Sequence, residues 1–127
     1  MKTTGVFSAL LLGTALVLGT PANVDAQDAR QNFALINKTG FDIKEVYVSP
    51  HRSNDWEENV LAQEILEDNQ RFNIRFNRRT RTCRWDLKVV YDIDDSDAVW
   101  KNIDLCSIST VTIYYNKKND KTTAEFD

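Results

Sequence analysis

From Cys83 to Tyr91 the apolar side chains Trp85, Leu87, Val89 and Tyr91 recur at every second position. A period of two is that of a β-strand with one buried face, not of a helix. Arg71 to Phe76 repeats the pattern, with Phe72, Ile74 and Phe76 on one side and polar groups on the other. Shorter runs with strand character are Phe33–Ile36, Phe41–Val48, Val99–Cys106, Ser109–Tyr115 and Thr122–Phe126. Turn-forming residues separate them: Asn37-Lys38-Thr39-Gly40, Glu67-Asp68-Asn69, Asn77–Thr82, Asp92–Asp97 and Asn116–Asp120. About seven short strands at near-regular spacing predict a mainly-β fold, an antiparallel sandwich or barrel, of which the sandwich is the reading adopted. Trp85, Leu87, Val89, Phe72, Ile74, Phe76, Val46 and Val48 are its predicted core.

Two joints in this outline are specific expectations. The Asn37–Gly40 turn reads as a hairpin between the first two strands, with Gly40 free to take a positive φ. Trp56 to Leu66 is the one helical candidate, because Trp56, Val60, Leu61 and Ile65 form an apolar stripe and Asp55 stands where a cap belongs. A loop with a single helical turn is the alternative for that segment. Residues 27–32, Gln27-Asp28-Ala29-Arg30-Gln31-Asn32, are polar and read as a frayed end.

The first 26 residues set the compartment. Lys2 gives a positive start, Val6–Gly19 is an apolar run, and Val24-Asp25-Ala26 places small residues where a signal peptidase reads them. This is the layout of a secretory leader cut after Ala26. The run is too short, and its far flank too uncharged, for a membrane anchor. Cleavage leaves Gln27–Asp127 as one domain in an oxidising space, secreted or periplasmic. There, the two cysteines, Cys83 and Cys106, read as a disulfide. Closing that loop is worth roughly 3 kcal/mol in the chain-entropy model. A two-residue turn at Asp94-Asp95 sets Cys83 opposite Cys106 but also Lys88 opposite Lys101 and Trp85 opposite Asp104, which is poor pairing. A bulge between Ile103 and Cys106 reconciles the two requirements, and the pattern leaves both registers open.

Charge limits the partners. The leader carries one Lys and one Asp, so its removal leaves the formal charge at −3. A weakly acidic domain has no global attraction for nucleic acid or anionic lipid, and no second long apolar run inserts it into a membrane. Locally, however, Arg71, Arg75, Arg78, Arg79, Arg81 and Arg84 concentrate positive charge. Guanidinium groups clamp phosphate, sulfate or carboxylate, which makes Arg75, Arg78, Arg79 and Arg81 the candidate anion-binding residues. The competing reading is a charged edge strand and loop that discourage edge-to-edge pairing.

Three other constellations carry chemistry on paper. Asp92, Asp94, Asp95 and Asp97 crowd one turn, and calcium needs six to eight oxygens. They lack the Gly and distal Glu of an EF-hand, so a solvated hairpin tip is preferred over a metal site. Ser49, His51, Ser53 and Asp55 hold triad residue types but crowd one loop, where triad members normally converge from separate elements. A paired-carboxylate hydrolase stays open, because the separations of the many acids are not visible in a sequence. Asn37-Lys38-Thr39 matches a glycosylation sequon, irrelevant in a bacterial source. No catalytic residue is assigned and no cofactor is called for.

The order of Phe33-Ala34-Leu35-Ile36-Asn37-Lys38-Thr39-Gly40, Glu45-Val46-Tyr47-Val48-Ser49-Pro50, Trp56, Cys83–Tyr91 and Leu105-Cys106 resembles that of a family of small exported bacterial proteins, some labelled argininosuccinate lyase. The resemblance covers essentially all the mature domain. It implies an exported β-rich domain and no activity. True argininosuccinate lyases are several-fold longer, helical and tetrameric, and their signature serine loop has no match here. Relatives tend to carry Gly where this chain has Asp94-Asp95-Ser96-Asp97, so a metal reading of that turn belongs to this chain alone. The expectation is a non-enzymatic binding or structural domain whose partner is an envelope protein or an acidic glycan. A calcium-dependent C2-like module and a small secreted hydrolase are the alternatives.

Overall fold

The computed structural model describes residues 28–127, so the segment read as a leader, residues 1–26, and its expected cleavage site lie outside the described residues. Seven strands run in chain order: β1 (Phe33–Lys38), β2 (Ile43–Pro50), β3 (Arg71–Ile74), β4 (Arg84–Tyr91), β5 (Asp97–Asp104), β6 (Thr110–Asn116) and β7 (Lys121–Phe126). They form two sheets, ordered β3-β1-β6-β7 and β2-β4-β5. The mainly-β sandwich read from the sequence is therefore the fold. Pairing is antiparallel except between β1 and β6, which run parallel.

Period-two patterning places the core between the sheets. Phe33 and Leu35 of β1 and Val111 and Ile113 of β6 meet Ile43, Val46 and Val48 of β2 and Trp85, Leu87, Val89 and Tyr91 of β4. Fully burying a Leu such as Leu87 contributes about 1.5–3 kcal/mol, so this contiguous cluster is the main favourable term. Phe72 and Phe76, predicted as core, are only half-buried. Strand β3 ends at Ile74, and beyond it the Phe76 backbone N–H donates to Asn32 Oδ1 at 2.7 Å. Phe76 instead packs edge-on against Trp85, with ring centroids 4.7 Å apart.

The expected β1–β2 hairpin does not form, because the two strands lie in different sheets. Gly40 does adopt a positive φ, +86°. Around it the chain arches over the end of the core, held by Asn37. Asn37 is fully buried. Its Nδ2 donates to the carbonyls of Phe41 at 2.8 Å and Leu66 at 2.9 Å, and its Oδ1 accepts from Thr39 N–H and Thr39 Oγ1. A residue type that favours turns for its local hydrogen bonding here uses that bonding to cross between sheets. The sequon at Asn37 is consequently sealed in the folded domain.

No α-helix occurs among the described residues, and the Trp56–Leu66 segment is a loop laid along β2. The Val60 N–H donates to the Val46 carbonyl at 2.8 Å, Asn59 Oδ1 accepts from Val46 N–H at 2.8 Å, and Ile43 and Leu66 exchange both backbone hydrogen bonds at 2.9 Å. Satisfying the backbone of an edge strand outweighs a short, marginal helix. Of the predicted stripe, Leu61 is buried and Val60 packs on the core, while Ile65 is 41% exposed and Leu66, outside the stripe, is buried in its place. Trp56 lies outside the sandwich, where the Lys88 ammonium sits 5.5 Å from its ring and 5.1 Å from that of Tyr47.

The β4–β5 register differs from both sequence alternatives. Leu87 pairs with Trp100, Lys88 with Val99 and Trp85 with Ile103, with the irregularity between Trp85 and Leu87. The extra residue falls at Lys101-Asn102 of β5, where Asn102 has φ +60°. Asp86 accounts for it. Its Oδ1 accepts from Asn102 N–H and contacts His51 Nδ1, both at 2.9 Å, so a buried carboxylate gathers the bulge. Cys106 consequently sits beyond β5, in a 3-10 turn at Leu105–Ser107, and forms the Cys83–Cys106 disulfide from there.

Asn37→Asp retains both acceptor contacts and loses both donors. It should destabilise the domain by on the order of 3 kcal/mol, because buried carbonyls lose partners and a carboxylate enters the core. Denaturant unfolding checks this against exposed Asn116→Asp, which should stay within about 0.5 kcal/mol of wild type.

Candidate functional site at the arginine end of the sandwich

The two ends of β4 carry opposite charge. The basic loop 77–82 precedes its first residue and the Asp92–Asp97 turn follows its last, about 25–30 Å away.

At the basic end, short-range bonding holds the backbone. Asn77 Oδ1 accepts from Arg79 N–H at 2.8 Å, and the Asn77 carbonyl accepts from Thr80 N–H at 2.8 Å. Trp85 Nε1 donates to the Thr82 carbonyl at 2.9 Å. Gln31 Nε2 donates to the carbonyls of Thr80 and Thr82 at 3.0 and 2.8 Å. The disulfide follows at once, with Cα atoms 5.3 Å apart, and Leu105 N–H donates to the Cys83 carbonyl. The arginines thus project from a pinned loop.

Arg30, Arg78, Arg79 and Arg81 surround a cavity of about 680 Å³, with Gln31, Thr80 and the disulfide completing its wall. No carboxylate is among these lining residues, and the Asp104 carboxylate lies behind the disulfide, within 4.8 Å of the two sulfurs. Of the four predicted anion-binding residues, Arg78, Arg79 and Arg81 are brought together here. Arg75 is not, and lines a separate groove with Arg71 and Asp28. Arg84 also turns elsewhere, donating from Nη1 to the Asn102 carbonyl at 3.3 Å.

Sequence patterning missed Arg30 and Gln31, which fall in the segment read as frayed. Ala29 and Gln31 are in fact buried, and Asn32 binds the Phe76 amide. Only the apolar Ala29 between polar neighbours hinted at this. Gln31 is 2% exposed, and its Oε1 has no hydrogen-bond partner among the described residues.

At the acidic end the four aspartates do not converge. The one group of three ligand-type side chains drawn close together among the described residues is Cys83, Asp104 and Cys106, whose sulfurs are bonded to each other. Lys44 Nζ pairs with Asp95, which raises the Lys44 pKa chiefly through that hydrogen bond. Asp94 Oδ1 accepts from Ser96 Oγ at 2.6 Å and Ser96 N–H at 3.0 Å, and these bonds hold its carboxyl below the usual range. A second cavity of about 710 Å³ opens beside this turn, walled by Phe41, Tyr91 and Tyr115. Burial is the main cause of a raised pKa at Tyr91.

The serine-rich loop does not assemble a triad. His51 Nδ1 faces Asp86, Ser49 Oγ donates to the Asp55 carbonyl at 3.1 Å, and Ser53 Oγ donates to the same carbonyl at 3.2 Å. No hydroxyl hydrogen-bonds to the imidazole among the described residues. Asp86 escaped sequence reading because alternation assigns it to the solvent face of β4.

No family model, curated protein or solved structure matches the chain.

Because the Asp94 pKa is depressed in the folded state, its contribution to stability is present above the unfolded carboxyl pKa and is lost as pH falls through the folded one. Ser96→Ala removes the hydroxyl that donates to Asp94 Oδ1. A carbon-13 carboxyl titration should then show Asp94 returning toward the ordinary range, and acid unfolding should depend less on this residue.

Proposed function

We propose that this chain is an exported, non-enzymatic binding domain of the bacterial envelope or extracellular space, and that its contact site is the arginine cavity at the disulfide end. The cavity carries the reading. Arg30, Arg79 and Arg81 meet around one volume with no lining carboxylate, on a loop whose backbone is already held. Guanidinium forks on a pinned loop suit carboxylate, sulfate or phosphate, and prior ordering lowers the entropic cost of binding.

An acidic glycan fits better than nucleic acid. A single-strand groove needs exposed aromatic faces, whereas Trp85 is 7% exposed and its indole N–H is bonded to Thr82. Export is supported by the leader pattern and by a disulfide that suits an oxidising compartment. No helix among the described residues is long and apolar enough to cross a membrane. The dispersed aspartates give a calcium-dependent module little support, and the separate bonding of Ser49, Ser53 and His51 gives a hydrolase little.

Calorimetric titration of the oxidised protein with oligogalacturonate tests the reading. Binding should weaken steadily with added NaCl, and Arg79→Ser/Arg81→Ser should lower affinity at least about tenfold with the fold intact, in keeping with charge-assisted contacts. Absence of binding to carboxylated, sulfated and phosphorylated glycans alike, or an unchanged affinity in the double variant, would overturn it.

A further inference from the structure

The Gln31 side chain is half satisfied. Both hydrogens of its Nε2 are used, on the carbonyls of Thr80 and Thr82. Reversing the amide would set its oxygen against those two carbonyls, so the orientation is fixed. Its Oε1 is then left as a buried acceptor without a partner, in a side chain that also lines the arginine cavity. Such a group is costly to bury unless a donor reaches it. An anion cannot supply that donor, since a carboxylate, sulfate or dianionic phosphate offers only lone pairs.

The cavity therefore presents two complementary demands. Exposed guanidinium groups require negative charge, and beside them one nearly buried carbonyl oxygen requires a hydrogen. We infer that the ligand is an acidic sugar unit, its carboxylate or sulfate held by Arg30, Arg79 and Arg81 and a neighbouring hydroxyl donating to Gln31 Oε1. This rests on the anion-binding reading of the cavity and adds to it the hydroxyl contact at Gln31 by which an acidic sugar is told from other polyanions. A hydroxyl is favoured over an ammonium donor because an ammonium would be repelled by the arginines. The inferred contact also explains selectivity: a polyanion without hydroxyls meets the charge demand and leaves the acceptor unpaired.

The test compares two probes carrying the same number of carboxylates on the wild-type protein, oligogalacturonate and a hydroxyl-free oligoacrylate, at 0.15 M NaCl, about physiological strength. Oligogalacturonate should bind at least about tenfold tighter, the usual scale of one added hydrogen bond to a buried group. The Gln31 carbonyl carbon-13 resonance should move with oligogalacturonate and stay in place with oligoacrylate. In Gln31→Met, which keeps the length of the side chain and removes the acceptor, the preference should fall below about twofold, since the acceptor term is gone. Equal affinity for the two probes in wild type, with the carbonyl resonance unmoved, would overturn this inference and leave the anion site standing, with a buried water as the partner of Oε1. A preference that persists in a folded Gln31→Met would overturn it too. Failure of both probes, and of sulfated and phosphorylated glycans alike, to bind would remove the anion-site reading itself. The wild-type comparison needs no variant, so it decides even where Gln31→Met unfolds.

Discussion

The buried amide of Asn37 is the point on which the two sheets depend. It stands at the end of β1, where the chain leaves one sheet for the other, and it has no exposed surface. Its side chain bonds the arch at Thr39 and Phe41 and the far end of the β2-flanking loop at Leu66. Its backbone bonds Gln70 and Asn69, which brings β3 onto β1. One residue thus joins the arch, the loop and the entry to β3. Apolar side chains contribute more free energy to the core, but they are non-directional. Polar bonding this complete, in a low-dielectric site, makes one crossing geometry far better than its neighbours.

The opposite end is held by different chemistry. There the disulfide ties the start of β4 to the 3-10 turn after β5, and Gln31 and Trp85 bond the basic loop from beneath. A covalent tie limits the unfolded ensemble and also fixes the base from which the arginines project. Mutual repulsion of clustered guanidinium groups works against the loop, and its backbone anchors oppose that repulsion. The two ends thus differ: an amide-centred hub organises the fold at one, and a crosslinked, arginine-rich loop closes the other.

What the sequence revealed and what it hid separate along a physical line. Alternation in Cys83–Tyr91 identifies the buried face of β4 correctly, since side-chain direction is a local property of a strand. The cysteine pair is equally plain, because two cysteines behind a leader-like start read first as one disulfide, and Cys83 and Cys106 form it. Strand partners are another matter. Asn37–Gly40 has every mark of a hairpin turn, yet the same residues arch between sheets, because what decides is the remote carbonyl of Leu66. Trp56–Leu66 carries a helical stripe, but the open edge of β2 captures its backbone. Asp86 and Gln31 look like solvated polar residues, and only their distant partners, Asn102, His51, Thr80 and Thr82, explain their burial. The arginines were visible as a segment. That Arg30 joins them and Arg75 does not is a consequence of topology.

Hydrogen exchange of the Asn37 side-chain amide tests the central role of this residue most directly. Both Nδ2 protons are hydrogen-bonded inside the core, so they should exchange as slowly as the backbone amides of buried Val89 and Ile113, through opening of the whole domain. Exchange at the rate of the exposed Asn116 side chain, with the Val89 and Ile113 amides still protected, would show that the hub opens freely while the sheets stay together, and would contradict the account.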